Sequence, residues 1–383
     1  MKKYLPFIKE FTKRADIPLL LVAFACSIYG LVAISSATQS YVNSAQYTIV
    51  QILAIFIGLG VFVFMTVLDA EILADKWGWL VLFNILIMFS LIPFGVTSAT
   101  GNKGWLRFLG IGLQPSEVAK IAYIIVMAKH ITYLKKRNEL HKFKSVLTLL
   151  GHFMAMFALI ILTSEDLGSA LVYFFIFITM LFAAGFKIYW FLAGFASIAV
   201  VTPLLWNNFL KPYQRNRILA PYDPTIDPKN DGINWQPYIS KLGLASGRLK
   251  GTGYGQGQQS QSNALFGKHT DFIFAVIGEE FGMIGCLIVF ALLITLIIRC
   301  IIVGARANDD LGTLICFGVA GTLIFQTFEN IGMCIGIAPV IGITLPFFSY
   351  GGSSIVSMYA AIGLVSGVKY KPKPKLFRYS YIS

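Results

Sequence analysis

The chain has 383 residues, of which 56% are apolar and only 13% charged, against roughly a quarter charged in an ordinary soluble domain. A soluble globular protein is excluded. The net charge of +13 would suit a nucleic-acid binder, but the 31 Lys and Arg residues cluster at the ends of apolar blocks, which excludes that reading too.

At about 20 residues per span, the apolar windows predict ten membrane helices, near residues 17–36, 48–67, 77–97, 116–134, 145–163, 168–186, 189–209, 271–299, 311–330 and 353–369. The expected fold is an all-α polytopic membrane protein, a single transmembrane domain over 1–383. The basic N-terminus runs into 17–36 with no convincing small-residue cleavage site, so this window reads as a retained first helix, not a signal peptide. Residues 164–168 are too few for an ordinary loop, and the fifth and sixth spans are expected to meet in a tight turn. Ten spans put both termini on one side.

The positive-inside count fixes which side. Lys2, Lys3, Lys9, Lys13 and Arg14 lie in the tail 1–16. Lys135, Lys136, Arg137, Lys142 and Lys144 follow the fourth span, and Lys369, Lys371, Lys373, Lys375 and Arg378 mark the tail 370–383. All fall on one face, expected to be cytoplasmic. The loop 98–115 and a large loop 207–270, between the seventh and eighth spans, are then extracytoplasmic. The aromatic patch at Trp235 and Tyr238 suggests that the large loop is ordered against the membrane. Cys26, Cys286, Cys300, Cys316 and Cys334 show no close pair and no metal-ligand spacing, and read as packing residues.

Carboxylates at membrane depth cost about 2.5–3.5 kcal/mol each on insertion scales and are functional candidates by default. Here they are Glu117, Asp166, Asp271, Glu279, Glu280 and Glu329. Ser116 reads as a helix cap, with Glu117 in the first turn and Lys120 on the same face three residues on. The two form either an internal ion pair or a site in which Lys120 meets a phosphate. Lys103, Trp105 and Arg107 offer cation, aromatic plane and cation at the outer surface, as an interfacial anchor or a lipid headgroup site.

Thr270 reads as the cap of the eighth span, with Asp271 in its first turn. Asp271 then either complements the helix dipole or acts as a base toward a sugar hydroxyl. Arg215, Arg217, Arg248 and Lys250 supply outer positive charge that either suits substrate phosphate or serves the loop's own backbone and phospholipid headgroups. The glycine run 251–257 follows no strand, which argues against a nucleotide loop. Gly332, Gly336, Pro339, Gly342 and Pro346 imply irregular backbone that lines a cavity, a device that transporters also use.

Five motifs in order carry a resemblance over nearly the whole chain. They are Trp105 to Lys120 with Gln114-Pro115-Ser116-Glu117, Glu165 to Ala170, Tyr213-Gln214-Arg215 with Arg217, His269-Thr270-Asp271-Phe272-Ile273-Phe274 with Gly278-Glu279-Glu280, and Leu345 to Ser354 with Ser349-Tyr350-Gly351-Gly352. Together they resemble the SEDS family of shape, elongation, division and sporulation proteins (RodA, FtsW, SpoVE). The resemblance implies a peptidoglycan glycosyltransferase polymerising lipid II on the outer face of the bacterial cytoplasmic membrane. A class B penicillin-binding transpeptidase is its implied partner, and the growing glycan strand its second substrate.

By the same resemblance Asp271 matches the catalytic base. Trp105, Arg107, Glu117, Lys120, Asp166, Arg215, Arg217, His269, Thr270, Ser349 and Tyr350 would bind or support substrate, with Lys120 and the arginines of the large outer loop on the pyrophosphates. A divalent cation, Mg or Mn, is compatible with that chemistry, though no His/Asp cluster specifies one.

Two positions depart from the family pattern. Leu265-Phe266-Gly267-Lys268 stands where a Leu-Pro-Glu run is common, and Pro339-Val340-Ile341-Gly342 where Pro-Val-Thr-Gly is. Short tails and the run from Gln326 to Met333 lean toward the elongation branch over a division or sporulation paralogue. A lipid II flippase is the rival from another class. Broken helices and intramembrane charge would serve it equally, but it needs no single base.

Overall fold

A computed structural model describes residues 5–96, 103–108, 111–208 and 212–370. Lys2, Lys3, Lys371, Lys373, Lys375 and Arg378, residues 98–102 and 109–110 of the first outer loop, and residues 209–211 of the second lie outside the described residues.

A short helix α1 (Leu5–Arg14) leads into α2 (Ile17–Ala37). Asp16 caps α2 by accepting from the Leu19 amide at 3.1 Å, as an N-cap carboxylate should. It also meets Arg299 at 2.9 Å and Lys369 at 3.4 Å, tying the chain start to two later helices. Then come α3 (Ser44–Val67), α4 (Ala70–Asp75), α5 (Trp77–Phe89) and α6 (Leu91–Phe94). The antiparallel hairpin β1 (Leu106–Phe108) and β2 (Ile111–Leu113) follows. With an isolated antiparallel bridge between Val96 and Trp105, it supplies the β structure among the described residues. Next are α7 (Pro115–Lys136), α8 (Phe143–Ser164), α9 (Leu167–Ala183) and α10 (Ile188–Asn208). The outer loop carries α11 (Pro212–Leu219), α12 (Trp235–Gly247) and α13 (Gln258–Gln261) before α14 (Ile273–Ala305), α15 (Asp310–Ile335) and α16 (Gly352–Tyr370).

Helices occupy all ten predicted windows. Among the described residues six are long and apolar enough to cross a membrane, namely α2, α3, α5 with α6, α8, α14 and α15, while α9 and the Ile188–Leu204 part of α10 are shorter apolar segments. The lower apolarity of α7 and α16 has a physical reason, because both are sheathed by protein. Nearly every residue of α16 from Ser353 to Ser366 is buried, and small polar residues suit close helix packing within a membrane. Most of α15 is buried too, and it packs on α9, α14, α7 and α12. By contrast α3, α5 and α10 turn large apolar side chains outward, as lipid-facing helices do.

Two helix starts differ from expectation. The cap of α7 is Gln114, not Ser116. Thr270 caps nothing either, since α14 begins at Ile273 and its hydroxyl donates to the Gly267 carbonyl at 3.2 Å.

At 33 residues α14 would run about 50 Å if unbroken, well beyond a hydrocarbon core of about 30 Å. It breaks at Gly282, whose φ of +69° lies where a side chain is strained. The outer loop repairs the break. Thr252 and Gly253 donate to the carbonyls of Glu279 and Glu280 at 2.9 and 3.0 Å, while Met283 and Ile284 donate to those of Arg248 and Leu249 at 2.8 and 3.2 Å. Backbone groups that lose intrahelical partners at membrane depth must find others in protein.

The glycine run predicted as a non-nucleotide loop is thus a backbone splice. A Cβ on Gly251 would overlap the Glu280 carbonyl, and one on Gly282 the Gly251 amide.

Candidate functional site

A cavity of about 550 Å³ opens where the starts of α7 and α9, the hairpin, α11, α12 and the turn before α14 converge. Of the residues singled out in the sequence, Trp105, Glu117, Asp166, Arg217, Thr270, Asp271 and Tyr350 line it. The N-termini of α7 and α9 both open onto it, but Glu117 and Asp166 place carboxylates in those first turns, so Arg217 is the lining cation that can meet an anionic ligand.

Asp271 sits in a turn built by the Gly267 carbonyl, which accepts from the amides of Thr270 and Phe272 at 3.0 and 3.1 Å. Gly267 adopts φ +63°, which the glycine allows at low cost. The Asp271 carbonyl accepts from Asn330 Nδ2 at 2.7 Å, and Asn330 also reaches the Ile343 carbonyl at 2.7 Å. Ser349 Oγ holds the neighbouring Thr270 carbonyl at 2.6 Å. Burial pushes the Asp271 carboxyl up to about 6; the Asp166 charge adds to this, while the Thr270 hydroxyl and Arg217 work against it. Such a group is ionised near neutrality yet basic enough to take a proton.

Asp166 caps α9 through the Ser169 amide at 3.0 Å and Ser169 Oγ at 2.7 Å, and also receives Gln114 Nε2 at 3.3 Å. Glu165 before it takes a left-handed conformation, which makes the tight turn between α8 and α9. Burial raises the Asp166 carboxyl, partly offset by the Ser169 hydrogen bonds. Glu117 faces the cavity while its Oε1 accepts from Lys120 at 2.9 Å and from Gln326 Nε2 at 3.4 Å.

Five expected residues lie off the cavity lining. Lys120 is buried behind Glu117 as its ion-pair partner, so it does not present a phosphate cation. Arg107 is exposed on β1, paired through its backbone with Gly112, and Arg215 is half-buried on α11. His269 stacks edge-on with Tyr41 and Tyr47, and burial followed by the Lys268 charge lowers its imidazole to about 4. Ser349 acts from behind, as above. Glu279 and Glu280 also point elsewhere, anchoring the outer loop. Glu279 accepts from the Gln259 and Ser260 amides at 2.8 and 2.7 Å, and Glu280 from Ser36 and Ser260 hydroxyls at 2.5 and 2.8 Å.

Both departures from the family pattern meet the cavity. Phe266 and Ile341 line it, while Lys268 is fully buried beneath, its Nζ donating to Ser40 Oγ, the Ser260 carbonyl and the Ser262 carbonyl at 2.8, 2.6 and 3.0 Å. Sequence reasoning missed the roles of Asn330 and Gln326, whose signal was two amides one turn apart inside an apolar span. It also missed Gln236, which lines the mouth. Among the described residues no group of three or more His, Cys, Asp or Glu side chains is placed to hold a metal ion.

The chain matches the family model of the FtsW, RodA and SpoVE cell cycle proteins over residues 17–373. It is 34% identical to the peptidoglycan glycosyltransferase MrdB of Escherichia coli, with 92% of this chain and 93% of that one covered. It is also 34% identical to the probable peptidoglycan glycosyltransferase FtsW of Geobacter metallireducens, covering 96% and 97%. Among solved structures, a chain from a peptidoglycan synthase complex that coordinates polymerization and crosslinking aligns with TM-score 0.77 and 27% identity, covering 93% of this chain and 97% of that one. The rod shape determining protein RodA of Thermus thermophilus shares the fold, with TM-score 0.67, 24% identity and coverage of 93% and 96%. A family match over residues 17–373, with relatives 34% identical over more than nine-tenths of the chain, shows that the chain belongs to the SEDS family.

Proposed function

We propose that this protein is a peptidoglycan glycosyltransferase that polymerises lipid II at the outer face of the cytoplasmic membrane, serving cell-wall elongation and cell shape. The observation that carries this reading is Asp271, a carboxylate raised to about 6 and facing one cavity with Arg217. The acceptor's GlcNAc 4-hydroxyl gives its proton to Asp271 as its oxygen bonds to the anomeric carbon of MurNAc. The bond from that carbon to the pyrophosphate breaks with inversion, and the proton later passes to solvent. Arg217 meets the charge that develops on the departing undecaprenyl pyrophosphate.

Ten spans with both termini cytoplasmic put the cavity outside. Support comes from helices in all ten windows and from basic residues at the α7–α8 connection and at the end of α16. A class B penicillin-binding transpeptidase is the proposed partner, supported by the likeness to a chain from a synthase complex. Any divalent cation would arrive with the pyrophosphate substrate.

The test is glycan polymerisation from lipid II by the purified protein and its Asp271→Asn variant, each with the transpeptidase and a divalent cation. Loss of polymer in the folded variant alone is expected. Equal polymer from both would sink Asp271 as base, and none from either, with lipid II translocated, would favour a flippase.

A further inference from the structure

A second cavity, of about 420 Å³, lies between α5, α7 and α8 and is lined by Trp77, Val126, Lys129, His130, Tyr133 and His152. His130 follows Glu117 by thirteen residues on α7, which places this pocket roughly 20 Å from the catalytic cavity and toward the other membrane face. The glycosyltransferase reading uses none of its residues.

Its polar groups are concentrated where membrane helices ordinarily carry few. Lys129 Nζ meets Asp75 at 2.6 Å, and both side chains are partly exposed, 38% and 69%, so an ammonium with three donors keeps two for a ligand. The His130 and His152 Nδ1 atoms are 3.4 Å apart. One must donate and the other accept, so the accepting neutral ring carries its proton on Nε2 as a further donor. Arg137 donates to the Tyr133 hydroxyl and sits over its ring, adding a guanidinium at the rim. Trp77 and Tyr133 are half-exposed, as interfacial aromatics are. Below the polar rim, Val81 and Val126 leave the pocket apolar.

The geometry points to a binding site for an anionic phospholipid, with its phosphodiester on Lys129 and the histidine pair and an acyl chain against Val81 and Val126. Charge complementarity selects this occupant, because Lys136 follows within two turns together with Lys135 and Arg137, which pair with Asp310 at 2.6 Å and Glu139 at 3.7 Å, and basic pockets at the membrane surface recruit anionic headgroups. A zwitterionic lipid would bring an ammonium among these cations.

Native mass spectrometry of the full-length protein with phosphatidylglycerol or phosphatidylethanolamine tests the site. Preferential retention of phosphatidylglycerol is expected, weakened roughly fivefold in Lys129→Gln and abolished in Val126→Trp, which fills the pocket without removing charge. If either variant fails to fold, brominated phosphatidylglycerol should quench wild-type fluorescence more than Trp77→Phe fluorescence. Equal retention of both lipids, a preference unchanged in both variants, or quenching that does not depend on Trp77 would overturn the proposal. Displacement by inorganic phosphate alone would replace the lipid with a soluble anion.

Discussion

The Ser349 hydroxyl donates to the Thr270 carbonyl at 2.6 Å and accepts the Leu345 amide at 2.8 Å. The lead-in to α16 therefore holds the residue directly before Asp271, although Ser349 does not line the cavity. Replacing Ser349 with Ala should lower the polymerisation rate about fivefold, if one net hydrogen bond of about 1 kcal/mol is lost mainly from the positioning of Asp271. The fall should appear in kcat with KM nearly unchanged, and Ser349→Thr should restore part of it. A matched rise in KM would point to substrate contact instead.

Raising the Asp271 carboxyl to about 6 predicts an acid limb in the pH profile. The base form is lost as pH falls through that value, so the rate should drop below about pH 6 and level off above about pH 7. Asp166 raises Asp271 and Arg217 lowers it. Asp166→Asn should move the limb to lower pH and Arg217→Gln to higher pH, as read from initial rates between pH 5 and 8.

Lys120 and Glu117 are both buried, and Glu117 Oε2 has no hydrogen-bond partner among the described residues. Lys120→Met strands a carboxylate in protein, with an expected loss of roughly 3 kcal/mol. Combining it with Glu117→Met should recover much of that loss. Thermal unfolding in detergent measures both, and a single variant as stable as the wild type would contradict the pair's role.

Gly251 and Gly60 make a contrast. A Cβ on Gly251 would strike the Glu280 carbonyl, while one on Gly60 meets nothing within 4 Å. Gly251→Ala should sharply reduce folded yield, whereas Gly60→Ala should be neutral or slightly stabilising, by up to about 1 kcal/mol. Size-exclusion recovery after solubilisation distinguishes them.

Much of the architecture was legible because length and apolarity report directly on spans. The tight α8–α9 turn showed in Glu165 and Asp166, and the polar residues that meet in the cavity stood out because charge is rare in such a chain. Other features left no local trace. Gly282 looks like any glycine in an apolar run, and nothing nearby announces that residues 248–253 complete its helix. Whether Lys120 faces the cavity or backs Glu117 depends on the rotation of α7, which Gln326 on α15 helps define. The hairpin at Leu106 to Leu113 is too short to leave a period. The glutamates of α14 carried the right signal, their cost, but the wrong expectation, since they secure a loop and not a substrate.

The splice at Gly282 also sets which pieces of this protein can be exchanged with a relative's. Four backbone bonds and the Glu279 and Glu280 anchors bind residues 246–262 to the outer half of α14. A chimera that swaps the outer loop alone would break hydrogen bonds belonging to the helix, whereas one that carries residues 246–284 together keeps the splice whole.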